Sequence, residues 1–475
     1  MRLPRALGQI LLILAIRASA ADLSRIDAYV RLEMDLNGVP GASVAVVRKG
    51  EIVYAKGFGV RNTVTREAMT ADTLVDLASV SKPLTASAIK KLERAGRIDR
   101  NAPVTEYLPE VGQGYSGVKV RHLLRHTSGL TRSDDFLAPC CGRPGEFDLE
   151  VAAAKLATAK PRPNSAFGYA NSNYVLLAAI GERVSRQPFA AVLRELVFRP
   201  SGMMRSTLDV QEARGWGLAE PHERRWGRVQ PGRSPFLGWP GSSLVKSTAE
   251  DVARYLVTVL KTNTNGWRAP YDEGWFIRER PEWTGRPRVL EHGGDTWGGN
   301  TAVVVVPSWN MGAVVLLNVG AHRALEIARG VLAIAAGLPA PPPRKASALG
   351  NTDAWAILFA ISGALMLGAT FVLGIRAWAA WRRGKRQFGL QPARVLRAAI
   401  LSGMAAYLAT VLGNRAALPL DALPESLRTG LRLLLGATAA TLAMAGVLGL
   451  APVARASRSQ RASVCGLDEH GGPAV

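Results

Sequence analysis

Residues 77–92, Leu-Ala-Ser-Val-Ser-Lys-Pro-Leu-Thr-Ala-Ser-Ala-Ile-Lys-Lys-Leu, join a short apolar run to a helical pattern. Ser79 and Lys82 stand three positions apart, so on a helix their side chains share one face and the amine can take the hydroxyl proton directly. The backbone N–H of Ser79 lies in the first turn without an intrahelical acceptor and can face a developing oxyanion. Pro83 fits because a first turn tolerates a missing N–H. The stretch predicts a serine nucleophile with its own base.

Lys82 must be neutral part of the time to act as a base. Its pKa therefore has to fall from about 10.4 by about three units, which burial and a second cation can achieve. The alternative is a solvated surface lysine. The following helix has an apolar face that favours burial of the first turn; this face consists of Leu84, Ala88, Ile89 and Leu92. Ser-x-x-Lys alone is expected about once by chance in a chain this long, so other motifs in the sequence must decide whether Ser79 and Lys82 are catalytic.

Two further motifs follow in order along the chain. Tyr169-Ala170-Asn171 lies after a proline-rich loop and before a helical run from Tyr174 to Val184. His292-Gly293-Gly294 ends a strand-like run from Arg288 to Glu291 and precedes a predicted hairpin. In isolation, the first would be ordinary turn chemistry and the second a half-buried strand histidine. Beside the Ser-x-x-Lys motif, the odds reverse in favour of a functional role for Tyr169 and Asn171.

Taken in order, the three motifs resemble the active-site elements of the serine β-lactamase and penicillin-binding-protein superfamily, most closely its class C-like branch. Further segments resemble that branch in its order; they are Val39–Ala42, the hairpin around Lys49-Gly50-Glu51, Leu123–Leu130 and Ser247–Asp251. The resemblance covers residues 24–336. It implies an α/β fold of the α+β type, with an antiparallel sheet flanked by helices and a helical insertion between the serine and tyrosine motifs. The N-terminal hairpin would join that sheet, and a last helix over residues 321–336 would pack on it.

The resemblance also implies catalytic roles. Ser79 would attack a carbonyl to form an acyl-enzyme, with Lys82 as the base. Tyr169 would pass the proton toward the leaving group, and Asn171 would hold Lys82 and a substrate amide. His126, within the Leu123–Leu130 segment, has no proton-transfer role in this scheme and is interpreted as structural.

The glycine motif would form the substrate-binding edge. His292, Gly293 and Gly294 would be an open strand edge where substrate backbone docks, and the backbone N–H of Asp295 would be the second oxyanion donor. β-Lactamases usually place Lys where this chain has His292. A permanent cation for the substrate carboxylate is thus replaced by a group expected to titrate near pH 6.5, which weakens the case for β-lactam hydrolysis.

Both ends of the chain carry targeting patterns. Arg2 and Arg5, an apolar run from Ile10 to Ile16 and then Ala18-Ser19-Ala20 predict a signal peptide over residues 1–20. After a proline-rich linker, residues 337–353, three apolar segments of about 20 residues each predict membrane spans within residues 354–451. The segments are Ala354–Ile375, Val395–Gly413 and Leu431–Ala451.

Charge around the predicted spans sets their orientation. The loop between the first two segments holds six basic residues, and Arg397 follows just inside the second segment, whereas the next loop holds two basic residues beside two acidic residues. The positive-inside rule therefore predicts that the first loop and the tail, residues 452–475, are cytoplasmic. The catalytic domain would lie outside, which agrees with the signal peptide. The alternative of buried soluble helices does not explain this asymmetry. The prediction is a multi-pass protein of a bacterial-type membrane, in contact with lipid, with an extracytoplasmic hydrolase domain.

The net charge of +22 does not favour nucleic-acid binding. From Arg344 onward, 15 basic and 5 acidic residues account for about half of the excess, and the remainder is spread through the hydrolase domain. The adjacent Cys140 and Cys141, with Cys465 beyond the spans, give no disulfide framework. The six histidines show no metal-ligand spacing, so neither a metal nor a cofactor is expected.

Two classes of function remain open. The leading hypothesis is an exported, membrane-tethered serine hydrolase that acts through an acyl-enzyme on a D-amino-acid peptide, ester or amide, for which a cell-wall fragment is a candidate source. The alternative is a non-catalytic module that binds or senses such fragments. Transport by the helices is disfavoured, because no charged residue lies deep within the three segments to form an ion path. The intact catalytic trio argues for the enzyme.

Overall fold

The computed structural model describes residues 24–345, except 138–147, 226–227, 233–237, 263, 265, 297 and 321–322. Beyond residue 345 it describes isolated residues between 361 and 387, together with 451 and 452. The chain divides into two compact units: the first contains the described residues up to 345, and the second contains the isolated ones. In the second unit, Arg386–Gln387 pairs with Ala451–Pro452 in a short antiparallel ladder.

A seven-stranded antiparallel sheet forms the centre of the first unit, in the order β2-β1-β11-β10-β9-β8-β7. The strands in chain order are β1 (Gly41–Arg48), β2 (Glu51–Gly59), β3 (Val75–Asp76), β4 (His222–Arg225), β5 (Arg228–Pro231), β6 (Lys246–Ser247), β7 (Tyr271–Asp272), β8 (Trp275–Glu279), β9 (Arg288–Thr296), β10 (Gly299–Val306) and β11 (Met311–Leu317). The pairs β3–β6 and β4–β5 form separate two-stranded ladders.

Helices cover both faces of this sheet. They are α1 (residues 24–37), α2 (Ser81–Arg94), α3 (Val104–Tyr107), α4 (Val120–Leu124), α5 (Leu149–Leu156), α6 (Asn171–Ser185), α7 (Phe189–Leu193), α8 (Arg199–Ser201), α9 (Val210–Gly215), α10 (Ala249–Leu260) and α11 (Ala324–Ala335). A π-turn, Arg194–Phe198, joins α7 to α8. Helix α11 packs on β10 and β11, as predicted for the last helix.

The central strands are apolar throughout because both of their faces are covered. All residues of β10 and β11 are buried. Successive side chains alternate between two cores: Val303 and Val314 belong to the core beneath α2, α6 and α10, whereas Val304 and Val315 belong to the core beneath α1 and α11. The edge strand β2 alternates in exposure instead. The predicted antiparallel sheet flanked by helices, with the N-terminal hairpin in it, is confirmed.

A helical insertion separates α2 from α6, as predicted. It contains α3, α4, α5 and several short 3₁₀ turns, and Tyr115 and Leu156 contribute to the core that α2 and α6 share. Two boundaries differ from the sequence prediction. Helix α6 begins at Asn171, inside the tyrosine motif, and β9 continues through the glycine motif to Thr296. The glycine motif therefore lies within a strand and Asn171 lies within a helix, whereas Tyr169 and Ala170 directly precede that helix.

Several sequence predictions fall outside the described residues. They are the signal peptide over residues 1–20, Cys140, Cys141, Cys465, the second and third apolar segments except Ala451, and the tail except Pro452. Among the residues that are described, no helix has the length and apolar character needed to span a bilayer. The described part of the proline-rich linker is docked on the domain: Leu338 and Ala340 pack against the second core, and Asn37 Nδ2 donates to the Arg344 carbonyl at 3.1 Å.

Candidate active site

Ser79 lies in a 3₁₀ turn, Ala78–Val80, that leads directly into α2. Ala78 has a left-handed backbone with φ +48°, and its N–H donates to Asp76 Oδ1 at 2.9 Å. The Thr301 hydroxyl of β10 donates to the Leu77 carbonyl at 2.8 Å. The turn is thereby pinned to the sheet on one side and to β3 on the other. The serine sits in this turn, two residues before the first residue of the helix.

Lys82 is completely buried, and three oxygen atoms surround its amine. The distances from Nζ are 3.0 Å to Ser79 Oγ, 2.8 Å to Asn171 Oδ1 and 2.9 Å to the Ser242 carbonyl. A neutral amine has two hydrogens and one lone pair. The amide and carbonyl oxygens can only accept, so they take the hydrogens and leave the lone pair for the hydroxyl of Ser79, the one partner that can donate. The geometry fits proton transfer from serine to lysine.

The charge state of Lys82 is set by burial. Desolvation lowers the pKa of Lys82 to about 7; the carboxylate of Asp135 opposes this shift, and the guanidinium of Arg132 adds to it. The expected reduction of about three units is therefore supported by the structure, and burial, not a second cation, is its main cause. At neutral pH a substantial fraction of the lysine can accept a proton.

Tyr169 covers the lysine and reaches the nucleophile. Its ring centroid is 4.8 Å from Lys82 Nζ, and its hydroxyl is hydrogen-bonded to Ser79. Burial raises the pKa of Tyr169 far above its usual value of 10, so the phenol stays protonated. A protonated phenol next to the serine can pass a proton onward, but it is a poor base. Lys82 is the better candidate for that role.

His126 holds the segment that carries Tyr169. The N–H of Gly168 donates to the His126 carbonyl at 2.9 Å, and the N–H of Ala170 donates to His126 Nδ1 at 3.3 Å. The imidazole also packs on the tyrosine, with 4.6 Å between ring centroids, and Asn173 Nδ2 lies 2.9 Å from Nδ1. Burial lowers the pKa of His126 well below 6.5, so Nδ1 remains an acceptor. The histidine interpreted as structural thus brackets Tyr169 on both sides.

Asn171 is the first residue of α6, and a carboxylate from another segment caps that helix. Asp135 Oδ1 accepts the Ser172 N–H at 2.7 Å and the Ser172 hydroxyl at 2.5 Å. Because Ala170 has no side-chain cap to offer, Asp135 satisfies the first turn in its place. This cap fixes the amide of Asn171 against Lys82.

The glycine motif lies on β9 where its outer edge is open. Strand β8 pairs with β9 only as far as Phe276 opposite Glu291. From His292 onward, no described strand pairs with the outer edge of β9. At Gly293 a Cβ atom would have free space, its nearest neighbour lying at 3.9 Å; at Gly294 it would lie 2.3 Å from the Leu77 carbonyl. Gly294 therefore allows β9 to pack against the nucleophile turn, and Asp295 follows it on the open edge.

His292 is a buried, neutral side chain. Its Nδ1 donates to the Gly293 carbonyl at 2.7 Å, and its Nε2 lies 3.1 Å from the Tyr271 hydroxyl, which acts as the donor. Burial lowers the pKa of His292 to about 3, with a further contribution from Lys82. The expectation that this group titrates near pH 6.5 is wrong, because desolvation dominates. His292 belongs to an aromatic cluster with Tyr271 and Phe276, and it carries no charge for a substrate anion.

These segments enclose a cleft of about 830 Å³. Its lining includes the predicted residues Ser79, Tyr169, Asn171, His292, Gly293 and Asp295. Three contributors were missed from the sequence: the Ser242 carbonyl, Asp135 and Arg132. A carbonyl has no side-chain signal, but the latter two lie directly after the Leu123–Leu130 segment and could have been considered. No metal-binding cluster occurs among the described residues.

The sequence model of the Beta-lactamase family matches residues 26–336, a range that contains all of these active-site segments. The chain belongs to the Beta-lactamase family.

Individual family members are distant relatives. Protein flp of Staphylococcus aureus (strain MW2) is 24% identical over 328 residues, which span 63% of this chain and 63% of that protein. Penicillin-binding protein 4* of Bacillus subtilis (strain 168) is 26% identical over 313 residues, which span 55% of this chain and 64% of that protein. The chain thus spans less than two thirds of the length of either relative.

Solved structures with a similar fold each cover about two thirds of this chain. The octameric penicillin-binding protein homologue from Pyrococcus abyssi has a TM-score of 0.57 and 25% identity, covering 68% of this chain and 79% of that one. A β-lactamase/D-alanine carboxypeptidase from Pseudomonas syringae has a TM-score of 0.53 and 19% identity, covering 63% and 94%. The second likeness concerns the fold alone.

Proposed function

We propose that this protein hydrolyses a D-amino-acid peptide, ester or amide through an acyl-enzyme on Ser79. The contacts of Lys82 carry the proposal. Burial lowers the pKa of the Lys82 amine to about 7, so part of it is neutral at neutral pH. The oxygens of Asn171 and Ser242 can only accept hydrogen bonds, so the lone pair of the neutral amine is directed at the Ser79 hydroxyl. A sensor that only binds fragments has no need of such an arrangement.

The reaction follows from the positions of the groups. Ser79 Oγ attacks the substrate carbonyl carbon while its proton moves to Lys82 Nζ. The backbone N–H groups of Ser79 and Asp295 stabilise the oxyanion. When the bond to the leaving group breaks, that group receives a proton through Tyr169, which is replenished from Lys82. Water then attacks the acyl-enzyme and passes a proton to the same amine, and the amine returns this proton to Ser79 Oγ as the bond to the acyl group breaks and the acid is released.

Location is part of the proposal. The predicted signal peptide and the charge asymmetry around the three apolar segments support an extracytoplasmic hydrolase domain tethered to the membrane. That location would give the enzyme access to substrates derived from the cell wall. The Bacillus subtilis relative is named a penicillin-binding protein, which supports testing penicillin among the candidate acyl donors.

The deciding experiment is intact mass spectrometry of the protein after incubation with three acyl donors. They are penicillin, a peptide ending in D-Ala-D-Ala and a p-nitrophenyl ester, each tested on the wild type and on Ser79→Ala. A mass increase of one acyl group in the wild type alone, with turnover of at least one donor, is the expected result. Binding of wall fragments without any acylation of the wild type would favour the sensing module instead.

A further inference from the structure

The cleft has few cations that could receive an anionic part of a substrate. His292 occupies the position where relatives usually carry lysine, but it is neutral and bonded within the aromatic cluster. Lys82 is buried, and three oxygen atoms of the protein already surround its amine. Two cations remain among the described residues that line the cleft, Arg132 and Arg278.

Arg278 is already engaged by a carboxylate. Its Nε lies 2.9 Å from Glu291 Oε1 in an ion pair, and its guanidinium lies 5.5 Å from the centroid of the Phe276 ring. Glu291 is buried and also binds Arg280 and Arg329, which lowers its pKa and keeps it ionised. An incoming anion would have to compete with this buried carboxylate for Arg278.

Arg132 is exposed and has no carboxylate partner among the described residues. The two neighbouring acids are committed elsewhere: Asp134 Oδ2 accepts from the N–H and hydroxyl of Thr131 at 2.7 and 2.9 Å, and Asp135 caps α6 through Ser172. These contacts fix the backbone on both sides of Arg132. The guanidinium carbon lies 5.5 Å from the centroid of the Tyr169 ring, on the wall of the cleft.

We infer that Arg132 is a specificity-determining residue that binds a carboxylate on the leaving group of the substrate. The inference rests on the proposed acyl-enzyme function. Tyr169 is the residue that would hand a proton to the leaving group, so a cation over its ring faces that part of the substrate. A guanidinium can hold a carboxylate through two parallel hydrogen bonds. The favoured substrates are therefore acyl donors whose leaving group ends in a free carboxylate, such as a C-terminal amino acid.

The test uses two thioesters of one N-acylglycine that differ only in charge. One has a mercaptoacetate leaving group with a free carboxylate, and the other has its neutral methyl ester. For Arg132→Gln, the ratio of kcat/KM for the anionic over the neutral donor should fall about tenfold to a hundredfold, the usual size of a charge-assisted hydrogen bond. KM for the anionic donor should rise, while kcat/KM for the neutral donor, compared on the plateau of each enzyme's pH profile where Lys82 is neutral, stays within about threefold.

Two variants serve as controls. Arg132→Lys keeps the charge without the planar fork and should retain an intermediate preference. Arg278→Gln removes the engaged arginine and should leave the preference within about threefold of the wild type. Equal losses on both donors in Arg132→Gln, or a larger loss of preference in Arg278→Gln, would overturn the inference while the acyl-enzyme stands. Failure of the wild type to be acylated by either donor would instead reject the proposed function itself.

Discussion

The floor and the rim of the cleft each hold a cation, and the two differ in almost every other respect. Lys82 on the floor is completely buried, and three oxygen atoms fix its amine. Arg132 on the rim is exposed, and its guanidinium carbon lies 5.5 Å from the centroid of the Tyr169 ring. Burial converts the lysine into a group that can lose its proton near pH 7, whereas a guanidinium in water remains a permanent cation. Desolvation thus makes Lys82 a base for the reaction, whereas the exposed charge of Arg132 serves the selection of the substrate.

The largest effect is expected from the floor itself. Ser79→Ala removes the hydroxyl that the lysine lone pair activates, so covalent labelling by every acyl donor should disappear. Intact mass spectrometry measures this directly. An unchanged thermal melting curve shows that the variant is folded. Labelling of the variant at the wild-type rate would place the nucleophile elsewhere.

The next effect concerns the base. Lys82→Ala should slow acylation by a factor on the order of 10² to 10⁴, the usual contribution of a general base, while substrate binding persists. Stopped-flow measurement of the acylation rate with a neutral ester tests it. Arg94→Ala is a matched control, since it changes an exposed cation on the same helix and should have no effect on the rate. Full activity in Lys82→Ala would show that the buried lysine is not the base, and the proposed difference between Lys82 and Arg132 would be wrong.

A smaller effect is expected where His126 supports Tyr169. His126→Phe keeps a ring against the tyrosine but removes the acceptor for the Ala170 N–H, so kcat should fall about tenfold. A double-mutant cycle with Tyr169→Phe separates this from general destabilisation. If the histidine acts through the tyrosine, His126→Phe should cost little once Tyr169→Phe is present. Strictly additive losses would mean that His126 affects activity by another route.

The smallest effect links the two regions through pH. The acylation rate with a neutral ester should rise with pH as Lys82 loses its proton and level off above about pH 7 to 8, because the neutral amine is the active form. Arg132 helps to lower the pKa of Lys82, so Arg132→Gln should move the midpoint of this profile to higher pH. Pre-steady-state rates between pH 5 and 10 measure both midpoints. A shift toward lower pH would contradict the sign of this coupling.

Much of the fold was predictable because its signals are local or repeat along the chain. The hairpins of β1 with β2 and of β10 with β11 follow from valine-rich runs separated by turns, and both lie in the predicted sheet. The motif His292-Gly293-Gly294 was predicted to be a strand edge, but the continuation of β9 beyond it to Thr296 was missed, because two glycines have low strand propensity. In the structure Gly294 remains in the strand because close packing against the Leu77 carbonyl requires it. Tertiary contact overrides the local signal there.

Site residues that belong to a sequence motif could be predicted. Contributions from backbone groups, or from the burial and charge around a side chain, could not. The motifs located Ser79, Lys82 and Asn171, which the structure brings within hydrogen-bonding distance. The Ser242 carbonyl could not be predicted, since any residue can supply one. The neutral state of His292 also depends on burial among Tyr271 and Phe276, which the sequence does not display. The roles of these residues in catalysis remain predictions until the variants are measured.

The contacts of Lys82 also span a large part of the chain. Asn171 is 89 residues away from it and Ser242 is 160 residues away, and both must arrive before the amine is enclosed. In an unfolded chain the same lysine is solvated and protonated at neutral pH, so the serine is not activated. Reactivity is therefore a property of the completed fold and appears only after these distant segments have assembled. An acylating probe would count native molecules in a refolding mixture and ignore partly folded ones.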